Sequence, residues 1–144
     1  MAAPATEILQ DLASVLRGGG LFALVTLGPS GSASEVPRAA VVFEGQDFFQ
    51  ADDDISALWL RLRLRIAVHI RCDDPAESIA RAGQLCASVA EAILEDPYRS
   101  GRCRDLPIGR ATEIGRTEFT PGLRRPEAEV SLAVRCHFQI EQGQ

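Results

Sequence analysis

Cysteine and histidine carry the most reactive side chains in this sequence, which contains four cysteines and two histidines. Two pairs lie close together in the chain, namely His69 with Cys72 and Cys136 with His137. Both pairs fall in segments with the alternation of β-strands. In a strand, the members of each pair face opposite sides, so neither pair can chelate one metal ion. We therefore expect no metal site, and nothing else in the sequence indicates a cofactor.

The cysteines differ in their surroundings. Cys72, Cys86 and Cys136 belong to the apolar sets of their elements and are expected to be small core residues in a reducing compartment. Cys103 lies in a polar loop and is the candidate for an exposed, oxidisable thiol. With the neighbouring cations it leaves open a small thiol enzyme or anion-binding domain, built on Arg99, Arg102 and Arg104. No nucleophile elbow or cysteine-protease signature surrounds it, so we predict no catalytic residue and no enzyme.

Charge excludes further classes of protein. The formal net charge is −5 and the pI about 5.0, which argues against nucleic acid as the main partner. The run Asp52, Asp53 and Asp54 could hold a divalent cation, but it lacks the alternating spacing and distal glutamate of a calcium loop. We interpret it as a solvated loop.

The hydropathy of the chain indicates a soluble protein. Hydrophobic residues make up 46% of the sequence, and no apolar run approaches the roughly 20 residues that span a membrane. Residues Met1–Gln10 lack the basic and apolar regions of an export signal. We expect the cytoplasm as compartment and no membrane partner.

Two long segments alternate apolar and polar residues, namely Leu58–Arg71 and Glu127–Glu141. This period-2 pattern is typical of half-buried strands. Each segment exceeds the usual strand length of about 5–6 residues and would extend over roughly 45–50 Å. Strands of this length outrun the core of a small domain, so their ends must bend or pack against something else. The pattern therefore favours a component of an assembly.

The remaining elements complete an α+β fold. A helix is expected over Thr6–Arg17 and ends at Gly18, and a second runs from an Asp74 cap to about Glu95. Shorter strands are expected over Leu21–Leu27, Arg38–Phe43 and Arg110–Phe119, and the loops over Gly28–Ser34, Glu44–Ser56, Tyr98–Gly109 and Thr120–Pro126. We predict a single domain over residues 1–144, with a mostly antiparallel sheet, two helices packed on one face, and the order α-β-β-β-α-β-β.

A row of arginines marks the polar side of the first long strand. Arg61, Arg63 and Arg65 alternate with leucines, and every basic residue of the chain except histidine is arginine. Arginine is favoured at interfaces because its planar group binds carboxylates in a bidentate way. We interpret the row as a solvated or interface face, with cross-strand pairing to the acidic residues of the last strand, Glu127, Glu129 and Glu141.

Several stretches resemble the tail terminator family of long-tailed phages and related phage-like particles, also called minor tail or tail completion proteins. The resemblance covers nearly the whole chain. It lies in the layout and in the segments EVPRAAVVFEGQ, WLRLRLRIAVHIR, DDPAESIARAGQLCASVAEAIL, EDPYRSGRCRDLPIGRATEIGRTEF and PEAEVSLAVRCHFQI.

This resemblance implies an α+β subunit that forms a hexameric ring on the completed tail tube. The ring would stop tube polymerisation and offer a surface to the connector of the filled head, with DNA passing only through its lumen. Assembly would take place in the host cytoplasm and end in the virion, at the head-proximal end of the tail. The expected contact residues are Arg61, Arg63, Arg65, Phe48, Phe49, Asp52, Asp53 and Asp54. Another head-tail joining protein, such as a neck or head-completion subunit, is the nearest alternative.

Overall fold

The computed structural model describes residues 4–28, 35–50, 58–71, 74–107, 109–120 and 127–140. Helices and strands follow in the order α1 (Pro4–Gly18), β1 (Leu24–Leu27), β2 (Arg38–Phe49), β3 (Leu58–Arg71), α2 (Pro75–Leu94), β4 (Thr112–Phe119) and β5 (Glu127–Ile140). The predicted α+β class and order of elements are confirmed. The first strand is shorter than predicted, because residues 21–23 precede the ladder.

The strands form one five-stranded sheet in the order β1-β2-β3-β5-β4. All neighbours pair antiparallel except β1 and β2, which are parallel. The central strands β3 and β5 pair along their whole length, from Leu58 opposite Ile140 to Arg71 opposite Glu127. Because the register is uninterrupted, the even-numbered residues of both strands, which are all apolar, fall on one face, and all the charged residues and histidines fall on the other.

Both helices pack against the apolar face. The core joins the helix stripes Ile8, Leu12, Leu16, Ala82, Cys86, Val89 and Ile93 to the strand residues Leu60, Leu62, Leu64, Ile66, Val68, Val130, Leu132, Val134, Cys136 and Phe138. The apolar positions of each helix recur at three- and four-residue spacing, so they form one stripe that the sheet covers. The opposite face of the sheet carries no helix in the part of the chain that the structure describes.

The prediction of a loop from Glu44 was wrong, because β2 continues to Phe49. A register shift between Phe43 and Gly45 inserts a bulge. Gly45 has a φ of +155°, and a Cβ atom there would lie 2.5 Å from a guanidinium nitrogen of Arg63. The bulge interrupts the apolar and polar alternation of β2, which is why the second half of this strand escaped the sequence pattern.

The ends of α2 follow from side-chain chemistry. Asp74 caps the first turn by accepting a hydrogen bond from the backbone N–H of Ala76 at 3.0 Å, as predicted. At the other end, the buried Arg99 donates to the carbonyl oxygen of Ile93 at 2.7 Å and pairs with Asp11 of α1 at 2.9 Å. Arg99 therefore satisfies the last carbonyls of α2 and ties them to α1.

Candidate assembly surface

The open face of the sheet, opposite the helices, is the candidate functional surface. It carries the odd-numbered positions of the two central strands, which the register places side by side: Trp59, Arg61, Arg63, Arg65, Ala67, His69, Arg71, Glu129, Ser131, Ala133, Arg135, His137 and Gln139. The predicted row Arg61, Arg63 and Arg65 lies along the middle of this face.

The expected pairing of these arginines with the glutamates of β5 was wrong. The register places Arg61 opposite His137, Arg63 opposite Arg135 and Arg65 opposite Ala133. Glu127 and Glu129 lie opposite Arg71 and His69 instead, and Glu141 lies outside the described residues. Alternation in a sequence predicts which face a residue occupies but not its partner in the next strand, because the register depends on the whole ladder.

Two arginines face each other at the centre of the open face. Arg63 pairs with Asp47 at 3.0 Å, and both side chains are about half exposed, at 46% and 47%. Arg135 has Arg63 on one side and Glu113 on the other, and no ion pair joins it to a carboxylate of the described residues. Like charges directly opposite in a sheet repel, and at this position Asp47 beside Arg63 and Glu113 opposite Arg135 offset part of the repulsion.

Arg65 extends this basic centre. Its Nη1 donates to Oγ of Ser131 at 3.4 Å, while its Nε is buried without a hydrogen-bond partner in the described part of the chain. The stem of Arg65 therefore covers the sheet, which is how long cationic side chains shield strand surface while the charge stays near solvent.

Arg61 contacts a histidine and an aromatic ring, whereas Arg63 contacts a carboxylate. Its Nε donates to Nε2 of His137 at 3.0 Å, and its guanidinium lies 4.8 Å from the ring centroid of Phe49. Phe49 also stacks on Trp59 at 6.5 Å and meets the edge of His137 at 6.2 Å. These contacts join the end of β2 to β3 and β5. Arg61 and Phe49, both expected at an interface, are thus engaged within the subunit.

Hydrogen bonds hold His137 in one neutral form. Nδ1 lies 3.0 Å from the carbonyl oxygen of Arg110 and must donate to it, since a carbonyl only accepts, while Nε2 accepts from Arg61. Burial and the Arg61 charge lower the pKa of His137, and the Arg110 carbonyl and Glu113 oppose this. Glu113 lies 3.6 Å from Nε2. The sequence did not single out this cluster as a unit, because only the register brings its strands together.

The other expected contact residues lie elsewhere. Phe48 lies opposite Leu60 on the helix side of the sheet and is 58% exposed, so the helices do not cover it. Asp52, Asp53 and Asp54 lie outside the described residues. The structure therefore brings together Arg61, Arg63, Arg65 and Phe49 on the open face, and places Phe48 on the opposite one.

The prediction of an exposed Cys103 was wrong. This residue is 2% exposed, and the neighbouring thiol of Cys136 lowers its pKa while burial opposes this. The Cys103 thiol and burial hold the pKa of Cys136 far above its ordinary value, and burial raises the pKa of Cys86 to about 11. Cys86 and Cys136 are core residues, as predicted, whereas Cys72 lies outside the described residues. The polar neighbours of Cys103 concealed its burial, because backbone hydrogen bonds fold this loop onto β5.

The arginines around Cys103 do not converge on one point. Arg99 is occupied by Asp11 and backbone carbonyls. Arg102 approaches Glu7 at 3.6 Å, and Arg104 donates to the side chain of Gln139 at 3.1 Å. An anion site built on these three residues is therefore not formed. Within the described ranges, no three side chains of His, Cys, Asp or Glu are grouped to hold a metal ion.

The outer surface of α2 is the other polar surface of note. It carries a shallow groove of about 480 Å³, lined by Glu77, Ala80, Arg81, Gln84, Leu85 and Ser88. Glu91 and Glu95 continue the exposed side of the helix beyond the groove. Neither α1 nor α2 is long and apolar enough to cross a membrane, and the same holds throughout the described residues.

Comparisons with known proteins give a similarity among solved structures only. No protein-family model and no curated protein matches the chain. Among solved structures, it is similar to a chain of the "Virion of native gene transfer agent (GTA) particle", with a TM-score of 0.42 and 15% sequence identity. The match covers 94% of this chain and 93% of the other. A likeness of this size is too slight to define a fold or a function.

Proposed function

We propose that this protein is a structural subunit of a phage or phage-like particle that caps the tail tube as a ring. The ring stops polymerisation of the tube and presents a surface to the head connector. The observation that carries this proposal is the open face, where β3 and β5 display Arg61, Arg63, Arg65 and Arg135 side by side. Of these four, only Arg63 forms an ion pair with a carboxylate of the described residues. A surface of this kind is suited to recognition of another protein, because charge complementarity fixes orientation and partner choice.

The size of the open face supports an interface. Five strands about 4.8 Å apart give a width of roughly 24 Å, and a 14-residue strand extends over roughly 45 Å. Because β1 has only 4 residues and β4 only 8, the sheet covers roughly 800 Å², close to the area of about 800 Å² that each partner of a stable interface buries.

The resemblance of the sequence to tail terminators supplies the assembly in which this interface would act. A tail terminator acts by binding and needs no reactive side chain of its own. The proposal therefore assigns the charged side chains of the open face to contacts with other subunits. It assigns the buried thiols to the core.

The test is electron microscopy of the tail tube protein from the same genome, polymerised with and without this protein. Short tubes with a ring at one end are the expected result, because a capped end can no longer grow. Tubes of unchanged length with bare ends, in the presence of the folded protein, would contradict the terminator role.

A second head-tail joining role, such as a neck or head-completion subunit, predicts a different result in the same experiment. The protein would then leave the tube length unchanged and bind instead to purified head connectors. Binding to connectors without capping of tubes would favour this alternative.

A further inference from the structure

The subunit carries a pair of neighbouring arginines on one surface and a pair of neighbouring glutamates on another. On the open face, Arg63 and Arg135 lie directly opposite each other on β3 and β5. Glu91 of α2 and the residue that caps this helix, Glu95, are exposed and four residues apart, and Glu95 keeps a helical conformation, so both lie on the same side of the helix. Like charges at these positions repel. Asp47, which pairs with Arg63 at 3.0 Å, and Glu113, opposite Arg135, offset part of the repulsion between the arginines.

The two glutamates form no ion pair with a basic side chain of the described residues. The last turn of α2 contains no basic residue, and no described side chain forms an ion pair with Glu91 or Glu95. Arg99 lies at this end of the helix but is buried, with its donors directed at Asp11 and backbone carbonyls. The repulsion between the glutamates is therefore not relieved within the described part of the subunit.

The spacing of the two pairs matches. Side chains directly opposite in an antiparallel ladder have Cβ atoms about 4.5–5.5 Å apart. Residues four apart on a helix have Cβ atoms about 5–6 Å apart. Two arginines can therefore each meet one glutamate, and arginine binds a carboxylate through two parallel hydrogen bonds.

The two surfaces point in opposite directions. The buried side of α2 packs on the apolar face of β3 and β5, so its outer side faces away from the open face. One copy therefore cannot bring its own two pairs together. A second copy can, by placing the outer side of its α2 over the open face of the first.

From this complementarity we propose that Arg63 and Arg135 of one copy bind Glu91 and Glu95 of the next. The contact uses different surfaces on the two subunits, so it is heterologous and can be repeated around a closed ring. This inference rests on the proposed ring and names the surfaces that build it. The small residues along the outer side of α2, Ala80 and Ala87, allow the helix to approach the sheet closely.

Charge reversal tests the proposal. Arg63→Glu with Arg135→Glu in one chain should weaken self-association by about tenfold or more, and so should Glu91→Arg with Glu95→Arg. The chain that carries all four changes should recover association, because the charges are exchanged rather than lost. Sedimentation velocity at several protein concentrations measures the effect, on free protein or on protein bound to tubes.

Matched controls lie on the exposed edge strand β4. Arg116→Glu and Glu118→Arg make the same charge changes at residues that pair with each other at 3.3 Å. Glu118 lies opposite Ser131 on the open face, but neither residue is among the four proposed contact residues. Both changes should leave association unchanged. Failure of the four-fold exchange to restore association, with both parent variants folded by circular dichroism, would overturn the proposed contact.

Cysteine crosslinking provides a second test that does not depend on charge. A chain with Arg63→Cys mixed with a chain with Glu91→Cys should form a crosslinked dimer on mild oxidation by a thiol-specific oxidant. Each thiol loses its proton, and the oxidant accepts the two electrons as the S–S bond forms. Arg63→Cys alone should not crosslink, and a strong crosslink there would indicate a two-fold contact instead.

Failure of this inference is distinguishable from failure of the proposed function. Tubes that are capped by the native chain, with no crosslink between positions 63 and 91, would retain the terminator role and reject this contact. A crosslinked oligomer that leaves tube length unchanged would retain the contact and reject the role.

Discussion

The two faces of the sheet are built from alternate residues of the same strands, yet they do different things. Leu62 and Arg63 are neighbours in β3, but Leu62 is fully buried beneath the helices and Arg63 is about half exposed on the open face. Burial of a leucine side chain contributes about 1.5–3 kcal/mol, whereas an exposed ion pair contributes about 0–1 kcal/mol. The difference separates the alternate residues of β3 that stabilise the core from those for which we propose a role in assembly.

The largest expected effect lies on the helix side. Leu62→Ala should lower the free energy of unfolding by about 3 kcal/mol, because it leaves a cavity at the centre of the core. Urea unfolding followed by circular dichroism measures this loss. Leu27→Ala, at a position that is 47% exposed, is the control and should cost far less. Equal losses at both positions would contradict the assignment of the core.

The next largest effect is expected at Arg99, which joins α1 to the end of α2 and is called the clamp below. Arg99→Met should lower the free energy of unfolding by about 2 kcal/mol, because it leaves the carbonyl of Ile93 and the carboxylate of Asp11 without their donor. Arg102→Met, at the partly exposed pair with Glu7, should cost about 0.5 kcal/mol or less. A loss for Arg99→Met no larger than for Arg102→Met would show that the clamp is not formed.

A smaller effect should appear as a pH dependence of stability. The pKa of His137 is lowered in the folded state by burial and by Arg61, so below the ordinary value of 6.5 the unfolded chain binds the proton more readily. Stability should therefore fall as the pH decreases from about 6.5 towards the folded pKa, and then level off with respect to this group. Urea midpoints between pH 7 and pH 5 measure the fall.

His137→Gln is the matched variant for this titration. It removes the group that titrates, so the fall between pH 7 and pH 5 should become shallower. The carboxyls of Asp96 and Asp105 have lowered pKa values and titrate below this window. An unchanged slope in the variant would assign the pH dependence to other groups.

The smallest effect on stability is expected on the open face. Arg63→Ala should change the free energy of unfolding by no more than about 0.5 kcal/mol, since its ion pair with Asp47 is half exposed. The same variant should weaken self-association, which sedimentation velocity detects. A loss of stability comparable to that of Leu62→Ala would remove the distinction between the two faces.

The fold was largely predictable because it depends on local patterns. Alternation identified β3 and β5 to within one residue, and the Asp74 cap located the start of α2. The second half of β2 was not predictable, because the bulge at Gly45 breaks its alternation. The parallel pairing of β1 with β2 also has no local signal, since it depends on how the chain returns to the sheet.

The candidate surface was predictable only in part. The pattern placed Arg61, Arg63 and Arg65 on one face, but it could not indicate that Arg61 binds His137 while Arg63 faces Arg135. Cys103 shows the same limit, because its polar sequence neighbours concealed a thiol buried against Cys136. Contacts between strands that are distant in sequence follow from the register of the sheet, and the register cannot be inferred from the local pattern of one strand.

The most direct measurement compares three chains in the capping of tail tubes by electron microscopy. Native protein and the Arg116→Glu control should give short tubes with terminal rings, while folded Arg63→Glu with Arg135→Glu should leave tubes long and bare. This result would place assembly on the open face and stability on the helix face. Capping by the charge-reversed protein at the native level would contradict the account, because the basic centre of the open face would then have no part in assembly.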